Sequence, residues 1–514
     1  MNIAGGSITI NGGTLTITGT LSIGAGTYII SGGTDVTSMQ GDMSITGGSF
    51  NNSGTLEFDG ATTHLLTSNS LNLGDITITA GDTVTLQDDL TCDNLTIDGT
   101  LNTNDWNLNV TGNVDGTGTL TGSTGTIDVD GAVTVTNFTA SSVTTNIGGA
   151  FSSALSHNGG TIVLDTGAAT ITNTGNYNNL TISAGAKSLT VAATVENDLL
   201  LSGGDLAATG ATLDVTTVGG DFTINNGGSN YSGTAAVTVS TGSLLVSAGD
   251  YGGGGALTVS AGDINISGSG TYSPLAGGDA TLTAGDFLYS STGLSTAAGD
   301  IIFSAAAGDL TVSGGTLTAN GLTSFSGGVL TVSGGTLTGA GNITGTGTVS
   351  LTGGTFNGNG RTIEDAGDWS DAGGVFAAGT SLVLFNGTSN VTSNGNSFYD
   401  VELDGTSVTL ADDGSVTNNL TITSGTFITG TNTLAVTNNI VSGGTLNASA
   451  QVNGADTLTV GGTVSGGGTV TGGDGTIDVD GAVTVTNFTA SSVTTNIGGA
   501  FSSALSHNGG TIVL

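Results

Sequence analysis

Leu310–Thr318 reads LTVSGGTLT, Leu330–Thr338 repeats it without change, and Val349–Asn357 follows as VSLTGGTFN, so the spacings are 20 and 19 residues. Within each unit Leu and Val alternate with Thr and Ser, which puts apolar side chains on one face of a strand and hydroxyls on the other. The Gly-Gly step supplies the backbone freedom that a tight turn needs. One such coil leaves its apolar face open to water, and only stacking against further coils closes it. The pattern predicts an all-β fold, a parallel β-helix (β-solenoid) with coils of about 20 residues. Carried over all 514 residues, that period gives roughly 26 coils and a rod of about 120 Å at the usual strand spacing of ~4.8 Å.

The composition agrees. Gly supplies 94 residues and charged residues only 8%, where an average protein has about 7% Gly and about 25% charged residues. Lys187 and Arg361 are the only basic residues and most acids are Asp, so the good helix formers are missing while β-branched Thr, Val and Ile abound. A hydrophobic share of 36% supports a packed core over disorder, and a single proline, Pro274, with no three-residue glycine period excludes collagen. A net charge of −37 without a basic patch argues against nucleic acid as a partner. Cys92 is alone, so no intrachain disulfide forms. The low aromatic content of 5% suggests a narrow lumen, with Trp106 and Trp369 expected at the periphery.

Longer repeats overlie the short period. Residues 125–164 recur unchanged as 475–514. The first copy runs on into Asp165-Thr166-Gly167 whereas the second meets the end of the sequence at Leu514, so the chain reads as a fragment of a longer polypeptide. Met1–Gly6 has no signal-peptide pattern, and export information is expected outside this chain. No apolar run reaches the ~20 residues of a membrane-spanning helix, so no transmembrane segment is expected.

An older duplication relates the run from Leu56-Glu57-Phe58-Asp59-Gly60 to Val110 with the run from Val383-Leu384-Phe385-Asn386-Gly387 to Val436, through shared Val-Thr-Leu, Asp-Asp and Asn-Leu-Thr-Ile steps. Two stretches break the rhythm. In 242–310 the tripeptide Ala-Gly-Asp starts at residues 248, 261, 284, 298 and 307, unequally spaced, and 361–380 (RTIEDAGDWSDAGGVFAAGT) reads as a loop or joint. The expected division is a solenoid segment over 1–360, the joint, and a second solenoid segment over 381–514.

The SGGTLT and NLTI units, the FDGA and FNGT openings and the scarcity of Lys, Arg, Cys and Pro resemble bacterial β-solenoid surface repeat proteins: filamentous-haemagglutinin-like exoproteins, autotransporter passenger regions and related β-strand-repeat adhesins. The resemblance implies an extracellular or cell-surface parallel β-helix serving adhesion, biofilm or stalk roles. Glycans or matrix of a host or neighbouring cell would then be its partners. It carries over no functional residue.

Parallel β-helices also carry polysaccharide lyases and hydrolases, so carboxylate pairs need a reading. Glycoside hydrolysis uses two carboxylates at a set separation, and Asp88-Asp89, Asp412-Asp413 or Asp128 with Asp130 are candidates. Adjacent Asp residues in turns are more simply structural. A uronate lyase further needs a cation and a strong base, and Lys187 and Arg361 lie far apart in sequence. His64, His157 and His507 read as three surface imidazoles, without a triad or zinc spacing. Calcium is the more reasonable ion: the run Gly472 to Asp478 approaches a glycine-aspartate calcium repeat, with Asp474, Asp478 and Asp480 as candidate ligands, although Ile477 stands where that repeat wants Asp. Thr-x-Thr pairs such as Thr14/Thr16, Thr77/Thr79, Thr281/Thr283 and Thr316/Thr318 raise ice binding, but their linear spacing is irregular. The sequence thus favours a structural or adhesive rod of a large secreted or cell-surface bacterial repeat protein, without catalysis. A carbohydrate-active β-helix enzyme is the alternative, and an ice-binding solenoid follows.

Overall fold

The computed structural model describes residues 1–209, 213–215, 220–275, 277–448 and 457–514. Among them there is no helix, and every strand pairing is parallel, giving a β-solenoid with coils of about 20 residues. No helix is therefore long and apolar enough to cross a membrane. The chain forms two compact units, one of Met1–Gly242 with Ala248–Gly255 and one of Ser243–Ser247 with Ala256–Leu514.

In unit 1 the strands Thr63–Thr67, Thr83–Leu86, Thr100–Asn102, Thr119–Thr121, Asn137–Thr139 and Ala154–Ser156 stack in register as one face. A second face runs through Leu90–Cys92, Leu108–Val110, Ile127–Val129, Thr144–Ile147, Thr161–Leu164 and Asn179–Ile182. Alternate residues point into the lumen. His64, Val84, Leu101, Leu120, Phe138 and Leu155 are the buried members of one column. Thr and Asn occupy the outward positions, where β-branched and polar side chains suit an exposed pleat.

In unit 2 one lumen column runs Leu244, Ile264, Phe287, Leu310, Leu330, Val349, Trp369, at steps of 20, 23, 23, 20, 19 and 20 residues. The SGGTLT signature has a steric cause. A Cβ on Gly335 would lie 2.2 Å from the Gly314 carbonyl oxygen of the coil before, and one on Gly354 2.3 Å from that of Gly335. Gly354 also sits at φ +67, where only glycine is unstrained.

The two irregular stretches belong to the same architecture. Ala-Gly-Asp recurs unevenly because its Asp residues serve two corners of the coil. Asp263 Oδ1 accepts the Asp286 N–H (2.9 Å) and Asp286 Oδ1 accepts that of Asp309 (3.0 Å), while Asp279 and Asp300 make a separate ladder (2.9 Å). Residues 361–380, expected as a loop or joint, instead carry Thr362–Asp365 and Trp369–Asp371, each paired on both sides, and Val375–Ala377, which pairs with Thr355–Asn357 and ends its sheet. Asp365 and Asp371 fill inward positions and so interrupt the apolar alternation by which a strand is recognised. Trp369 is likewise not peripheral. It is 1% exposed and packs in the lumen with ring centroids 4.8 Å from Phe376 and 5.2 Å from Phe398.

Candidate functional site

Two of the carboxylate pairs singled out by sequence, Asp88-Asp89 and Asp412-Asp413, are hydrogen-bonded to the backbone of neighbouring coils. Asp88 accepts the N–H groups of Ser68 (2.7 Å) and Asn69 (2.5 Å), and Asp89 accepts that of Asn107 (2.9 Å). Asn69 needs this help because its φ of 56 turns the chain through the left-handed region, where local backbone bonding is broken. The Ser68 hydroxyl closes the turn by donating to the Asp89 carbonyl (2.6 Å). One aspartate thus ties its turn to the coil below and its neighbour to the coil above.

The second pair repeats the arrangement. Asp412 accepts from Ser393 (2.7 Å) and Asn394 (2.6 Å), Asp413 accepts from Thr433 (2.8 Å), and the Ser393 hydroxyl donates to the Asp413 carbonyl (2.9 Å). Asn394 again has a positive φ, 49. The pairs are back-to-back staples, and ionised acceptors of this kind make the stronger class of hydrogen bond. Longer ladders work the same way: Asp400 Oδ1 accepts the Asn419 N–H (3.0 Å), Asn419 that of Asn439 (3.2 Å), and Asn439 that of Thr463 (3.0 Å).

Asp128 lies outward on Ile127–Val129, stacked between Asn109 and Asn146, and Asp130 is exposed at the following bend. Asp165 nearby has its carboxyl raised, first by burial and then by the charge of Asp128. Of the calcium candidates, Asp478 lies outward between Thr459 and Asn496, Asp480 is exposed just beyond, and Asp474 accepts the Ser492 hydroxyl (2.7 Å). Among the described residues no three His, Cys, Asp or Glu side chains are grouped to hold a metal ion.

The histidines differ from the expectation of three surface imidazoles. His64 is wholly buried. Its Nε2 lies 3.0 Å from Asp82 Oδ1 and its Nδ1 3.0 Å from the Gly41 carbonyl oxygen, with the Phe58 ring packed beside it. Both nitrogens are engaged, so the pair has the geometry of a lumen cross-tie. Burial would raise the Asp82 carboxyl, but hydrogen bonds from Thr62 N–H, His64 and the Thr79 hydroxyl outweigh it and the group sits below its ordinary value. Sequence offered no sign of this, since His64 and Asp82 lie a whole coil apart. His157 and His507 occupy identical positions in the duplicated block yet have different partners. His157 reaches Glu196 (3.1 Å), whereas His507 turns back to the Gly510 carbonyl (3.1 Å).

Lys187, the one lysine, is buried and donates to the carbonyls of Thr166 and Gly167. Desolvation lowers its ammonium, with Asp165 opposing. Arg361 is exposed at the start of a different coil in unit 2. Cys92 is buried, and burial pushes its thiol well up, away from reactivity. The threonines are more regular in space than in sequence: Thr316, Thr336 and Thr355 stack in one outward column and Thr318 and Thr338 in the next, until Asn357, Val375 and Ala377 interrupt them. Trp106 is 40% exposed.

Comparison with known protein families, curated proteins and solved structures finds no match.

Proposed function

We propose that this chain is a structural or adhesive segment of a large bacterial surface or secreted repeat protein and performs no catalysis. The observation that carries the reading is the use of its paired aspartates. Asp88, Asp89, Asp412 and Asp413 accept backbone N–H groups from neighbouring coils, and a carboxylate committed in this way is a poor general acid or nucleophile. The outward faces are rows of Thr, Asn and Asp, which offer hydroxyls, amides and carboxylates to hydrated partners such as cell-surface glycans or matrix.

The test is a glycan array together with whole cells, probed with the purified chain with and without millimolar calcium, with products assayed in parallel. Saturable binding without product formation is expected. Turnover of a glycan that disappears in Asp88→Asn/Asp89→Asn or Asp412→Asn/Asp413→Asn would overturn the reading in favour of a carbohydrate-active enzyme.

A further inference from the structure

Trp106 is an exception to the way this chain uses aromatic rings. Between Leu66 and Ser142 it is the one large apolar side chain exposed to solvent. It stands on a corner, Asn104 to Asn107, whose residues are all exposed. The related module in unit 2 shows that the corner does not need it. There the same turn is built with Asn432 in place of Trp106, closed by the Asn432 N–H donating to the Thr429 carbonyl (3.2 Å), as Trp106 donates to Thr103 (3.0 Å).

Asn432 also has a structural task, since its side-chain amide donates to the Leu410 carbonyl (2.9 Å). A tryptophan placed as Trp106 is makes no such bond. In unit 1 the matching carbonyl, that of Leu86, receives its donor from the Gln87 side chain instead (3.0 Å), where unit 2 has Ala411. The corner has thus been relieved of its structural amide, and a large flat ring is left partly open to water in its place.

The surroundings define what would cover it. Asp105 Oδ1 accepts the hydroxyls of Thr124 (2.9 Å) and Ser123 (3.0 Å), which hold its carboxyl below the usual range and keep it an acceptor. Asn104 and Thr124 add an exposed amide and hydroxyl. A protein hot spot gathers apolar neighbours around its aromatic anchor, whereas between Leu66 and Ser142 no other large apolar side chain is exposed beside this ring. Anionic ligands are opposed by the net charge of −37. What remains complementary is a ligand with an apolar flat face and a hydroxylated rim.

We propose that Trp106 is a stacking platform for a pyranose ring of a neutral glycan, with Asp105, Asn104 and Thr124 meeting its hydroxyls. This rests on the adhesive reading and names the contact through which it acts. The experiment titrates the intact chain with soluble glucan, mannan, galactan and chitin oligosaccharides, following acrylamide quenching of tryptophan emission. Trp369 is buried, so the quenchable signal belongs to Trp106.

One of these glycans should protect Trp106 from acrylamide. Trp106→Ala and Trp106→Asn, the residue of the related corner, should weaken that glycan's binding at least tenfold with unchanged far-ultraviolet circular dichroism. Equal binding by wild type and both variants would overturn this inference and leave the adhesive reading standing. No glycan binding by the wild type would overturn both. Protection by spermine or a lysine-rich peptide, with none from the glycans, would replace the sugar by a cation held over the indole.

Discussion

The related modules at 56–110 in unit 1 and 383–436 in unit 2 keep the same turn staples but fill the lumen differently. Beneath Phe58 unit 1 stacks Met39, whereas beneath Phe385 unit 2 stacks Asp365. Unit 1 buries the His64–Asp82 pair where unit 2 has Ser389 and Thr406. Leu73 and Leu90 of unit 1 become Phe398 and Gly414, a larger ring compensating for a lost side chain, and a small cavity lined by Phe398, Gly414, Val416, Phe427 and Leu434 marks the imperfect exchange. Backbone hydrogen-bonding at the turns is thus the constant of this solenoid, and the lumen tolerates whatever combination fills it.

The largest consequence concerns pH. Asp365 is fully buried and its Oδ2 lacks a hydrogen-bond partner, and burial pushes its carboxyl up to about 8. The folded state holds the proton while the unfolded chain, with an ordinary carboxyl near 4, releases it. The contribution of Asp365 to the stability of unit 2 is therefore greatest below pH ~4 and falls by about 1.4 kcal/mol per unit up to pH ~8, on the order of 6 kcal/mol in all. Denaturant titrations followed by Trp369 emission in a Trp106→Phe background should show this, and Asp365→Asn or Asp365→Met should flatten it. Asp82 in unit 1 has the opposite sign: its lowered carboxyl stabilises above the ordinary carboxylate value, and that contribution is lost as pH falls through its lowered folded value.

Next in size is the buried pair itself. His64→Ala leaves Asp82 enclosed without its imidazole and should destabilise unit 1 by about 3–5 kcal/mol, while Ser389→Ala at the related site of unit 2, whose hydroxyl has no partner, should change stability by less than ~1 kcal/mol. Equal effects in chemical denaturation would show that the two lumens are not the contrast described.

The staples should behave alike in both units. Asp88→Ala and Asp412→Ala each strand two N–H groups and should destabilise by about 2–3 kcal/mol, with matching losses in amide protection. The smallest effect is the volume exchange. Phe398→Leu and Gly414→Leu should each destabilise unit 2 by about 1–2 kcal/mol, through a void and through overpacking respectively. The double variant, which installs the pairing of unit 1, should recover most of the loss as a coupling energy.

The coil length and strand character were legible because SGGTLT records both the alternation and the glycine that the preceding coil's carbonyl requires. The stretch 242–310 was not legible in register, since one tripeptide serves two corners and its linear spacing mixes them. Residues 361–380 were obscured by Asp365 and Asp371, inward acids that look like loop residues until Asp371 is seen accepting from Gly373 and Gly374 (3.0 and 2.9 Å). The paired aspartates were visible as candidates and their structural use was foreseen. Their partners, 18 to 20 residues away, were not, because a hydrogen bond between coils leaves no local mark. His64 was lost for the same reason.

The central claim, that the paired aspartates are spent on holding coils together, is tested most directly by hydrogen exchange of backbone amides. Ser68, Asn69, Asn107, Ser393, Asn394 and Thr433 should exchange as slowly as amides of the adjoining strands, and Asp→Ala at the partner aspartate should release them. Exchange of these amides at the rate of free turns in the wild type would mean that the carboxylates are not engaged, leaving them available for chemistry and contradicting the account.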